Sequence, residues 1–128
     1  MTLRSPLGQV LGQGAAKEGV HHWWVQRLTS IALVPLTIWF VVAILSLPDL
    51  SYDTVTRWIG HALTALLLIL LVLTAAWHSQ LGLRVIIEDY AHDRGARTAM
   101  LILSTFAHVL LGGAATLAVL QILLRGAV

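Results

Sequence analysis

Three long uncharged runs govern what this chain can become. Thr29 to Leu47 holds 19 residues without a charge, Ile59 to Trp77 is apolar with His61 near its start, and Thr98 to Leu124 holds 27 without a charge. About 20 such residues in a helix cross the roughly 30 Å of hydrocarbon in a bilayer. Lipid offers backbone N–H and C=O groups no partners, so a spanning segment must be a helix or part of a closed barrel. Runs of this length lack strand alternation. The expected fold is an all-α membrane protein with three transmembrane helices, at about 28–47, 54–89 and 97–124.

Composition agrees and narrows the chemistry. Only 11% of the 128 residues are charged and 58% are hydrophobic, against about 25% charged in an ordinary soluble domain. There is no cysteine, which excludes disulfides, iron–sulfur ligation and thiolate metal sites within this chain. A formal net charge of +2, scattered along the loops, does not suggest a nucleic-acid partner.

Residues 1–26 are polar and Gly-rich and read as a cytoplasmic N-terminal arm, ahead of a single three-helix anchor domain over 27–128. No cleaved signal peptide is expected, because no short apolar core precedes a small-residue cleavage site. His21-His22-Trp23-Trp24 brings aromatics to the membrane boundary, where their amphipathic rings settle. Pro35 interrupts the first run, and Thr29 or Ser30 can satisfy carbonyls freed there. Pro48 marks a stop, and Asp53 is the expected N-cap of the second helix.

Loop arginines and lysines set the orientation. Arg4, Lys17, Arg27, Arg84, Arg94 and Arg97 lie on one side; Arg57 and Arg125 lie on the other. The N-terminus and the turn after the second helix are therefore expected in the cytoplasm, and the C-terminus in the periplasm or its equivalent.

Ionisable residues at membrane depth suggest function. His92 reads as a solvated turn residue and His61 as an interfacial one. His78 and His108 lie at similar depth on antiparallel neighbours, so spacing alone permits a haem held between them. An interhelical hydrogen bond is the plain alternative for either. His78, Gly82, Val85 and Asp89 share one helical stripe, with the imidazole about 16 Å deeper than the carboxylate of Asp89. Glu88-Asp89-Tyr90 ends that helix, where the dipole disfavours acids and Arg84 can offset Glu88. A tyrosine hydroxyl and a carboxylate there can also supply the hydrogen bond and proton route that a quinone needs. Arg27 is either a topology anchor or a partner for a carboxylate such as a haem propionate.

Taken in order, the motif G-V-H-x-x-x-x-x-R at Gly19–Arg27, His-x-x-x-Gly at His78–Gly82 and Asp-Tyr at Asp89–Tyr90 resembles the small cytochrome b anchor subunit of succinate dehydrogenase, complex II. That resemblance implies a non-catalytic subunit of a four-subunit complex in the bacterial inner membrane. Its partners would be a flavoprotein, an iron–sulfur subunit and a second cytochrome b anchor subunit. It implies one haem b shared between the anchors, with His78 as an axial ligand and Arg27 and His21 (or His22) near the propionates. It implies a ubiquinone site at Asp89 and Tyr90. His108 matches no motif of that family. Competing readings are the anchor of a fumarate reductase or another quinone-linked dehydrogenase, a haem-free structural anchor, and a small homo-oligomeric transporter. The transporter would want a membrane-embedded carboxylate, and all six acids lie outside the apolar runs.

Overall fold

The computed structural model describes residues 15–125, with side chains from residue 20 onward. All of its regular structure is helical: α1 (Ala15–Leu45), α2 (Tyr52–Ile59), α3 (Ala62–Tyr90) and α4 (Arg94–Arg125). Three of these are long and apolar enough to cross a membrane.

Helix boundaries depart from the sequence reading where polar residues, not apolar ones, set them. α1 begins at Ala15, so the later part of the segment read as an arm is helical; its first 14 residues lie outside those described. Pro35 sits within α1, but the hydroxyls do not serve it. A proline frees the carbonyl four residues earlier, here that of Ile31, whereas Thr29 Oγ1 donates to the carbonyls of Val25 and Gln26. Ser30 Oγ likewise donates to Gln26.

The second expected helix is two. α2 is capped by Ser51, whose hydroxyl accepts from the Thr54 amide; Asp53 is not the cap but pairs with Arg57 one turn on, at 2.8 Å. Gly60 and His61 then separate α2 from α3. Trp58 stacks on Trp39 at 6.1 Å between ring centroids and packs beside Phe40, which ties α2 to the far half of α1. α4 starts earlier than expected because Asp93 caps it, accepting from the Ala96 amide at 2.7 Å.

α3 is the middle helix, packed against α1 on one side and α4 on the other, while α1 and α4 do not pack on each other. The buried residues are few and mostly small: Thr64, Ala65, Leu68, Leu81, Ile87, Ser104 and Gly112. Small side chains let membrane helices approach closely, where dispersion and not water exclusion drives association. At Gly112 an added Cβ would meet Ala76 Cβ at 3.4 Å; at Gly113 it would meet nothing within 4 Å. Large apolar side chains such as Ile31, Leu103 and Leu111 point outward, as a lipid solvent or a membrane partner demands.

Candidate functional site

The α1–α3 contact carries a polar cluster inside an apolar pair of helices. His22, Gln26 and Thr29, spaced four and three apart, form one stripe of α1. His78 of α3 faces it. His78 Nδ1 lies 3.0 Å from Thr29 Oγ1, and Gln26 Nε2 lies 3.4 Å from His78 Nε2. Gly82, one turn past His78, lies in the same seam, where a Cβ would make ordinary contact with Gln26 Nε2 at 3.7 Å.

Proton bookkeeping favours one tautomer of the ring. Thr29 has one hydroxyl proton and two backbone carbonyls at 2.9 and 3.0 Å to receive it, the usual back-bonding of a helical threonine. Its oxygen therefore accepts from His78 Nδ1–H. In that tautomer Nε2 carries the lone pair, the state in which a histidine ligates a metal, and the Gln26 amide faces it at 3.4 Å. Two buried atoms on the α1 stripe, Gln26 Oε1 and His22 Nε2, have no hydrogen-bond partner among the described residues.

His108 turns the other way. Its Nδ1 donates to the Ser104 carbonyl at 2.7 Å, and its Nε2 accepts from the Ser79 hydroxyl at 3.2 Å. Ser79 follows His78 in α3, about 100° around the helix. The two histidines thus lie in different seams, His78 between α1 and α3 and His108 between α3 and α4, and the intrachain pair that spacing permitted is not formed. Beside His108, between α3 and α4, lies an open apolar cavity of about 540 Å³ lined by Leu73, Trp77, Gln80, Thr105 and Gly112. Nothing in the sequence pattern pointed to it.

Of the other candidate residues, Arg27, His21, Asp89 and Tyr90 are exposed. Arg27 lies over the Trp23 ring, 5.3 Å from its centroid, and is exposed. His21 is exposed, whereas His22 is half-buried. Asp89 and Tyr90 are exposed in the last turn of α3, Tyr90 at 78%. Arg84 does offset Glu88 there, at 2.8 Å; Asp89 enters no ion pair among the described residues. His92 Nδ1 donates to the Tyr90 carbonyl at 3.0 Å, which closes the turn behind it. Gln26 was missed by sequence reading and Thr29 was given another task. Their signal was a polar stripe at helical spacing within the entry to an apolar run.

A helical membrane protein with a histidine in the seam between two helices and polar groups at one end is the class that this fold and site define. A family profile described as succinate dehydrogenase/fumarate reductase transmembrane subunit matches residues 1–112. The chain belongs to that family, and it is of the non-catalytic, hydrophobic anchor type. It is similar to the succinate dehydrogenase hydrophobic membrane anchor subunit of Paracoccus denitrificans, 32% identical over 73% of this chain and 71% of that one. The Rickettsia bellii subunit of the same name is 29% identical over 77% of this chain and 79% of its own length. The succinate dehydrogenase membrane anchor subunit of Reclinomonas americana is 32% identical over 68% and 75%.

Proposed function

We propose that the chain anchors the flavoprotein and iron–sulfur subunits of a succinate:ubiquinone oxidoreductase to the bacterial inner membrane. It does so with a second cytochrome b anchor subunit, sharing one haem b with it. The N-terminus and the Asp89–Tyr90 end face the cytoplasm, following the six-to-two distribution of arginine and lysine. The observation that carries the reading is the His78 ring, with Nδ1 against Thr29 Oγ1 at 3.0 Å and Nε2 met only by the long 3.4 Å contact to the Gln26 amide, which iron would displace.

The donor set fits haem b, which when bound supplies a one-electron carrier beside the quinone site. His78 would hold the iron from this chain, together with a residue of the partner anchor. Arg27 offers a guanidinium to a propionate. His21 or His22 offers a ring N–H; the orphaned Nε2 of His22 favours the latter. Tyr90 donates its hydroxyl to a quinone carbonyl, and Asp89, open to water, passes protons. Both stand on the side where a soluble iron–sulfur partner docks, so electrons have little membrane to cross.

The test is spectroscopic. In the purified complex, His78→Leu removes or severely perturbs the α-band of reduced haem b, and His108→Leu leaves it in place. The reverse pattern would sink the ligand assignment. A fumarate reductase anchor is the second reading, favoured only by the breadth of the family description. Comparing succinate oxidation with fumarate reduction in the whole complex separates the two.

A further inference from the structure

We propose that Thr29 is the positioning residue of His78, fixing its tautomer and the direction of Nε2; this rests on the reading of His78 as a haem ligand. Thr29 Oγ1 stands within 3.0 Å of His78 Nδ1 and donates its only proton to the carbonyls of Val25 and Gln26. Those two acceptors lock the hydroxyl's orientation on the rigid α1 backbone, so the lone pair aimed at α3 is the one available to the ring. Donating its own proton also polarises the oxygen and strengthens it as an acceptor. The Nδ1–H bond then draws electron density into the imidazole and raises the basicity of Nε2, as outer partners of ligating histidines do. Gln26 Nε2, 3.4 Å from Nε2, is placed to donate weakly there in that tautomer. Two side chains of α1 thus meet the two ring nitrogens of a residue in α3.

Thr29→Val keeps the side-chain shape and deletes the hydroxyl; Thr29→Ser keeps the hydroxyl. In the assembled complex the valine variant is expected to bind haem about 10-fold or more weakly. The haem it retains should have a raised reduction potential and a broadened low-spin ferric resonance, because a less basic ligand stabilises the ferric state less. The serine variant should restore all three. Valine with wild-type haem content, potential and resonance would overturn the proposal, even if His78→Leu had abolished the α-band. Haem surviving His78→Leu would instead overturn the ligand reading beneath it. Should the valine variant fail to assemble, the wild-type complex made without haem decides. With ¹⁵N-histidine labelling, His78 Nε2 should resonate as an unprotonated nitrogen, and a protonated Nε2 would overturn the proposal.

Discussion

At the level of single residues, Tyr90 and Arg27 matter for what they leave open. Tyr90 is 78% exposed, and its carbonyl, not its hydroxyl, is taken up by His92. Its hydroxyl is thus free for a quinone carbonyl. Tyr90→Phe removes one oxygen and almost no volume, so assembly and haem content should survive. Quinone reduction should fall by about 10-fold or more, because the donor is lost where charge builds on the reduced oxygen. Succinate oxidation with an artificial acceptor should be spared; wild-type rates in both assays would move the quinone site elsewhere. Arg27 rests on Trp23, a cation–π contact available to lysine as well. A propionate, by contrast, favours the guanidinium fork. Removing a charge-assisted pair costs about 1.5–3 kcal/mol, so haem retention should fall in the order wild type, Arg27→Lys, Arg27→Ala. Equal haem content in all three would leave Arg27 as a topology anchor.

Helices in this chain are held at close approaches and at caps. Gly112 sits against Ala76 while Gly113 faces open space. Gly112→Leu should therefore force α3 and α4 apart and lower the Tm of the complex, while Gly113→Ala should leave it unchanged. Identical Tm values for Gly112→Leu and wild type would show that this seam does not govern α3–α4 packing. The start of α2 depends on a different device. The Ser51 hydroxyl and amide both donate to the Asp49 carboxylate, and these bonds hold its pKa below the usual carboxylate value. A depressed carboxylate contributes at neutral pH, and that contribution is lost as pH falls through its lowered pKa. Ser51→Ala should raise the Asp49 pKa and fray α2 by about 0.5–2 kcal/mol. Hydrogen exchange at the Thr54 amide reads the fraying, and exchange as slow as in wild type would dismiss the cap.

Across the whole molecule, the middle position of α3 leaves α1 and α4 each with an open face. Ile31, Val34 and Ile38 of α1 and Leu103, Val109 and Leu110 of α4 are all exposed. In lipid such faces are tolerable; between subunits they are where a second anchor packs. α4 runs 32 residues, about 48 Å at 1.5 Å per residue, so it tilts or projects beyond the hydrocarbon. Affinity purification in mild detergent should recover this chain with a flavoprotein, an iron–sulfur subunit and a second hydrophobic chain. Recovery without any flavoprotein would refute the proposed role.

Three membrane helices were legible in the sequence because lipid imposes one rule, and runs such as 98–124 satisfy it without any tertiary information. Membership of the anchor family was legible as well, from the order of Gly19–Arg27, His78–Gly82 and Asp89–Tyr90. Helix starts were not, since Ser51 and Asp93 cap by side-chain geometry and the early turns of α1 are polar. Depth marked both His78 and His108 as candidates, but depth is a coordinate along a helix and says nothing about rotation. Which neighbour each ring meets depends on how the helices turn about their axes. Only the packed structure gave His78 to Thr29 and Gln26, and His108 to Ser79, because about 100° separates residues 78 and 79 around α3.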